Sequence, residues 1–96
     1  MSNVVIAGYA RSAFTLANKG ALRKTRPDDM VAAVVKGLVQ KTKVNPDHIE
    51  DLALGCAFPE GATGSNIARQ VALRAGLPVT VSGLTVNRFC SSGLQT

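Results

Sequence analysis

Three short apolar runs, Val4–Ala7, Leu52–Phe58 and Thr80–Phe89, alternate along this chain with two stretches of helical periodicity. Strands that alternate with helices of this length predict a mostly parallel sheet with helical crossovers, because a parallel pair needs a long connection to return to the same edge. In such sheets ligands gather outside the carboxyl ends of the strands. The fold class expected is therefore α/β, in the order strand, helix, strand, helix, strand.

The first run, Val4-Val5-Ile6-Ala7, carries β-branched residues and predicts a buried strand that ends near Arg11-Ser12. A loop rich in Gly, Asn and Lys follows. Pro27-Asp28-Asp29 supplies a helix start, with a carboxylate available to unpaired N–H groups and favourably placed on the helix dipole. Val31, Val34, Val35, Leu38 and Val39 then recur on one face. Lys41-Thr42-Lys43 suits a helix C-terminus, and Asn45-Pro46 prevents continuation. The second run is closed by Pro59 and the loop Gly61-Ala62-Thr63-Gly64. Ser65 or Asn66 is the expected cap of a second helix whose apolar face holds Ile67, Ala68, Val71, Ala72 and Ala75. Gly76 and Pro78 end it, and the third run follows, with Gly83 as its weak point.

Composition excludes several function classes. With 96 residues, 46% hydrophobic and 18% charged, the chain fits one globular core rather than a disordered segment. The net charge of +5 is dispersed, aromatic content is 4%, and neither zinc spacing nor an RNA-binding sheet motif occurs, which argues against nucleic-acid binding. The densest basic group, Lys19, Arg23, Lys24 and Arg26, is expected to be a solvated loop, with contact to an acidic or phosphorylated ligand as the alternative. No signal peptide, membrane span or repeat is visible, so a reducing cytoplasm and no membrane partner are expected. The glycine loop matches neither the phosphate-binding pattern ending in Gly-Lys-Ser/Thr nor Gly-x-Gly-x-x-Gly.

The chemistry concentrates at Cys90. In Asn87-Arg88-Phe89-Cys90-Ser91-Ser92-Gly93-Leu94-Gln95 a cysteine falls where a strand is expected to hand over to a helix, with Ser91 to Leu94 as the helix's first turn. Unpaired N–H groups and the positive dipole end at such a junction favour a thiolate. Small residues beside the sulfur would let a substrate carbonyl approach, and the Cys90 backbone N–H is a candidate donor to the oxyanion formed on attack. Cys56, inside an apolar run without a basic neighbour, is expected to be a small packed hydrophobe. Neither cysteine has a histidine at ligand spacing, so no metal is expected, and His48 falls in a polar surface turn.

These residues resemble the amino-terminal part of the thiolases, specifically the acetyl-CoA acyltransferases that act on 3-ketoacyl-CoA. The similarity runs through Val5-Ile6 and Ala10-Arg11-Ser12-Ala13-Phe14, where Ser12 and Ala13 replace the family's Thr and Pro. It continues in Asn66-Ile67-Ala68-Arg69-Gln70 and Ala75-Gly76-Leu77-Pro78, and ends in the nucleophile motif Asn-x-x-Cys-x-Ser-Gly-Leu around Cys90. The resemblance implies a fold of two similar halves, each with a five-stranded mixed sheet, and residues 1–96 as the amino-terminal domain of a longer enzyme whose carboxy-terminal domain is absent. It implies that Cys90 attacks the ketone carbon of a 3-ketoacyl-CoA and carries the acyl group as a thioester, coenzyme A being a substrate and no other cofactor being required. The implied partners are acyl-CoA, CoA and further copies of the chain in a homodimer or homotetramer, with the segment Thr80 to Val86 near the subunit contact.

The histidine, the second cysteine and the asparagine-held water that complete the family's cycle match no residue of this chain. The 96 residues alone are therefore expected to be inactive. Two alternatives stand beside this expectation: a related ketoacyl-synthase-type condensing enzyme, and a non-catalytic domain stable only in association with another chain. For Arg69 and Gln70 a structural role in the second helix and a ligand role both remain open.

Overall fold

The computed structural model describes residues 3–96. Pro27–Thr42 form helix α1, Asp51–Gly55 strand β1, Ile67–Arg74 helix α2, Ser82–Val86 strand β2 and Ser92–Gln95 the single turn α3. Three 3-10 turns, at Pro46–His48, Gly61–Thr63 and Phe89–Ser91, lie between them.

β1 and β2 pair in parallel with Asp51 opposite Ser82 and Gly55 opposite Val86. The ladder extends one bond beyond each end, through Ser82 N–H to Glu50 O at 3.2 Å and Cys56 N–H to Val86 O at 2.9 Å. α2 is the crossover between the two strands and lies between α1 and the sheet. The expected α/β architecture with a parallel pair and a helical crossover is therefore present.

The core forms where α2 meets its neighbours. Ile67, Ala68, Val71 and Ala72 are buried along one face, in line with their spacing, and Ala32, Ala75, Leu77 and Val81 complete the cluster. Burial of a side chain such as Ile67, Val71 or Val81 contributes about 1.5–3 kcal/mol. On α1, Val31, Val35 and Val39 pack against this core, whereas Val34 and Leu38 line grooves under the N-terminal segment.

Helix ends follow the punctuation of the chain. Pro27 occupies the first position of α1, where a missing N–H costs nothing. Lys43, left-handed at φ 57°, closes it through a bond from its N–H to Val39 O. Gly76 at φ 78° closes α2, with the Leu77 N–H donating to Ala72 O.

The first expected strand is not one. Val4, Val5 and Ile6 are 98%, 75% and 95% exposed, and the sheet contains only β1 and β2 among the described residues. A strand exists by sharing its backbone groups with a neighbour, and here the segment runs beside the C-terminal end of α1 instead. Lys41 Nζ donates to Tyr9 O at 3.1 Å and stands 4.6 Å from the Tyr9 ring centroid. A Cβ added at Gly8 would come within 2.6 Å of the Thr42 methyl, so glycine permits this approach. The order observed is thus helix, strand, helix, strand, helical turn.

The remaining strands are shorter than their apolar runs. β2 begins at Ser82 because Val81 N–H turns back to Pro78 O, and it ends at Val86 because Asn87 opens a tight turn. Gly83, expected to weaken the strand, instead lets α2 rest on it: a Cβ there would lie 2.5 Å from Arg69 N and 2.7 Å from Arg69 Cα.

A candidate nucleophile at the carboxyl end of the sheet

β2 delivers its chain to the carboxyl end of the sheet, and Asn87 begins the turn that follows. The Asn87 Oδ1 accepts the Phe89 N–H at 2.9 Å, an Asx turn that bends the backbone within two residues. Phe89 then adopts a left-handed conformation with φ 47°, a region that a bulky side chain occupies only when its surroundings enforce it. Ser92 supplies that enforcement. Its hydroxyl accepts the Arg88 N–H at 2.8 Å and donates to Phe89 O at 2.7 Å, and the residue is only 4% exposed. The Ser91 hydroxyl adds a bond to Arg88 O at 2.9 Å.

Cys90 sits at the crest of this turn, exposed, with a free thiol. It lies inside the 3-10 turn Phe89–Ser91, and α3 begins at Ser92 rather than at Ser91. The expectation that Ser91 to Leu94 would form the first α-helical turn is corrected to this extent. The Asn87 and Ser92 side chains satisfy the backbone bonds that tighten residues 88 to 91, so the α-helix starts only after them.

The turn rests on the end of β1. A Cβ added at Gly55 would lie 2.5 Å from Gly93 N and from the Ser92 carbonyl carbon, so only glycine lets the first turn of α3 lie against that strand. Among the described residues none accepts a hydrogen bond from the Cys90 N–H, which leaves that donor open beside its own thiol. A free thiol and an unbonded N–H therefore share one exposed residue, a pair of groups that attack on a carbonyl can use.

The other sequence candidates occupy different places. Cys56 follows β1, is half-buried and packs against the core, as a structural thiol does. His48 is exposed in the 3-10 turn before β1, at the amino end of the parallel pair. Cys90 follows β2 at the carboxyl end, and a strand of five residues separates the two ends by roughly 16 Å, so the chain does not bring them together.

Arg69 donates to Val81 O and Val79 O, and the Gln70 Nε2 donates to Gly64 O at 3.4 Å. Both thus brace the backbone around α2, as the structural reading of these two residues expects. In the basic loop, Arg26 binds Asp28, Arg23 donates to Gly20 O, and Lys19 and Lys24 are exposed.

Two polar pairings lay outside the sequence reading. Asp28 is buried at the start of α1, receives two bonds from the Arg26 guanidinium at 3.1 and 3.2 Å, and lies 3.8 Å from Arg74. Bonding from Arg26 holds its carboxyl below the usual carboxylate range, against the opposing effect of desolvation, with help from the Asp29 N–H. At the other end of the core, Thr85 and Asn66 join β2 to α2. Neither pairing has a periodic signal, but Asn87 and Ser92 flank the Cys90 segment as residue types that commonly bond to their own backbone.

Among the described residues no three of His, Cys, Asp and Glu gather into a metal-binding group. No described helix is long and apolar enough to cross a membrane.

The family model "Thiolase, N-terminal domain" matches residues 4–96. The 3-ketoacyl-CoA thiolase of Bacillus subtilis (strain 168) is 46% identical over 96 residues, covering 100% of this chain and 25% of the relative. That of Vibrio vulnificus (strain YJ016) is 42% identical over 96 residues, covering 99% of this chain and 25% of the relative. The peroxisomal 3-ketoacyl-CoA thiolase 1 of Arabidopsis thaliana is 41% identical over 93 residues, covering 97% and 21%. The chain spans about a quarter of the length of these relatives. With a matching parallel α/β unit and a match from residue 4 to residue 96, the chain belongs to the thiolase family, in whose N-terminal domain it lies.

Proposed function

We propose that Cys90 is the nucleophile of an acyl-CoA acyltransferase that cleaves 3-ketoacyl-CoA. The sulfur attacks the ketone carbon, the bond between that carbon and the α-carbon breaks, and the α-carbon takes a proton as acetyl-CoA leaves. The acyl group remains on Cys90 as a thioester until the thiol of a second CoA attacks it, releasing a shortened acyl-CoA and returning the cysteine. Run backwards, the same steps condense two acyl-CoA molecules. The observation that carries this reading is an exposed free thiol beside its own open N–H, on a tight turn at the carboxyl end of a parallel strand. The names of the relatives supply the substrate class.

In this reading coenzyme A is a substrate and no other cofactor takes part. Residues 1–96 on their own are inactive, because His48 is held at the far end of the strand pair. The complete protein assembles as a homodimer or homotetramer, an arrangement supported by the outer edge of β2 and by the exposed Leu84 on it. It works in a reducing compartment such as the cytoplasm, where both thiols stay free.

Incubating the natural-length protein with acetyl-CoA and measuring intact mass and peptide masses tests the proposal. One acetyl group on Cys90, released by CoA and lost in Cys90→Ser, is the expected result. Acetylation of Cys56 instead, or of neither cysteine, would refute it.

A second reading, a domain that functions only as a binding partner for another chain, draws on one observation. Val4, Val5 and Ile6 are exposed together, a cost that a covering surface would relieve. Activity in the acetylation experiment decides between the two.

A further inference from the structure

The Cys90 turn is held by side chains rather than by regular secondary structure. Phe89 stands in a left-handed conformation, which a non-glycine residue adopts only against a steric cost. Two groups flanking it meet that cost. Asn87 Oδ1 takes the Phe89 N–H, and the Ser92 hydroxyl bridges the Arg88 N–H and Phe89 O across the turn. Ser92 is buried under Arg88 and Phe89, and the backbone of Ser92 and Gly93 lies on Gly55, so this hydroxyl links the turn to the sheet floor.

Relaxing residue 89 to an ordinary right-handed or extended conformation would rotate the next peptide plane, which carries the Cys90 N–H, and swing the sulfur with it. The direction in which the thiol and its open N–H together face, relative to the sheet floor, is therefore set upstream, by residue 89. From this geometry we infer that Ser92 and Asn87 are positioning residues for the nucleophile. They form a clamp that keeps Phe89 left-handed, so that the Cys90 sulfur and N–H are held as a pair in one orientation toward an incoming carbonyl. The inference rests on the acyl-transfer reading for its kinetic consequence, but the clamp itself is measurable without it. Neither side chain touches the reacting atoms in this account, and both act through the backbone of Phe89.

The discriminating substitution is glycine, which adopts a positive φ without penalty. In the natural-length protein, Ser92→Ala and Asn87→Ala are expected to slow acetylation of Cys90 by acetyl-CoA roughly ten- to a hundredfold, with the half-saturating acetyl-CoA concentration unchanged. Adding Phe89→Gly to either variant should restore most of the lost rate, because residue 89 then needs no clamp. A hydroxyl acting directly on the sulfur or the substrate would show no such rescue.

Amide hydrogen exchange supplies the independent readout. Arg88 should exchange faster in Ser92→Ala and Phe89 faster in Asn87→Ala, while the amides of α2 keep their protection. Full acetylation rates in both single variants, or a loss that Phe89→Gly leaves untouched, overturns the positioning role. Unchanged exchange at Arg88 and Phe89 overturns the clamp even if the wild-type protein takes no acetyl group, a result that by itself defeats the acyl-transfer reading alone. If the buried Ser92→Ala change prevents folding, the exposed Asn87 site carries the same test.

Discussion

The Thr85 hydroxyl donates to Asn66 Oδ1 at 2.7 Å while accepting the Ala68 N–H at 3.1 Å, so a strand residue caps the helix that Asn66 precedes. Asn66 does not bond to the first turn of α2 through its side chain and instead sends its Nδ2 to Gly83 O at 2.8 Å. A capping bond and a crossover contact thereby become one network, tying the start of α2 to the strand that leads to Cys90. Thr85→Val keeps the shape and removes the hydroxyl, leaving the Ala68 N–H without an acceptor. A loss of about 1–2 kcal/mol is expected, read as a lower urea midpoint with an unchanged slope, whereas Thr85→Ser should stay close to wild type.

Asp28 makes stability depend on acid. Its pKa is lowered in the folded protein, first by the hydrogen bonds from Arg26, so the folded state binds a proton less readily than the unfolded chain. The stabilisation is complete above the unfolded value of about 3.9 and disappears as pH falls from there through the lowered folded value. Thermal melts between pH 6 and about pH 2 should show this loss. In Asp28→Asn the same acid limb should be shallower, and an unchanged slope would remove Asp28 from the account.

Gly55 and Gly83 are predicted to fail in different ways when enlarged. Gly83→Ala drives a methyl into the backbone of Arg69, so the cost should appear as global destabilisation, of about 1–3 kcal/mol, in chemical unfolding. Gly55→Ala meets the backbone of Ser92 and Gly93 beneath the Cys90 turn. Its larger effect should be on Cys90 acetylation. Equal proportional losses of stability and acetylation in the two variants would contradict this separation.

The two thiols should differ in labelling. Cys90 is exposed on its turn, whereas Cys56 is half-buried against the core. Iodoacetamide at neutral pH, followed by peptide mass analysis, should modify Cys90 several-fold faster, since alkylation requires access to sulfur. Matching rates for the two cysteines would contradict the arrangement described for them.

How far these features could be read from the residues depended on how local their causes are. Pro27, the Asn45-Pro46 pair and the Gly76-to-Pro78 segment mark helix boundaries through their own backbone restrictions: α1 starts at Pro27 and stops at Thr42, shortly before Asn45, and α2 stops at Arg74, shortly before Gly76. The spacing from Ile67 to Ala75 likewise defines a face that is buried. Val4 to Ile6 has the composition of a strand, but pairing depends on a neighbour that the segment's own residues do not specify. For the same reason Asn66 suggested a cap, although the cap comes from Thr85, 17 residues ahead of Ala68. At the candidate site, the order of elements placed Cys90 at a sheet end. The left-handed Phe89 beside it arises from hydrogen bonds whose geometry residue types alone do not encode.

Gly55 and Val86 are paired partners at the last rung of the ladder, so both strands finish level with each other. Two stretches of chain leave this shared end. On one side, Asn87 to Ser92 is cross-braced and seated on Gly55. On the other, the chain from Pro59 to Gly64 passes through a small 3-10 turn of its own, with Thr63 bonded back to Phe58 O. The seat of the Cys90 turn is thus the last glycine of the neighbouring strand, and the turn keeps its footing only while both strands stop at the same rung.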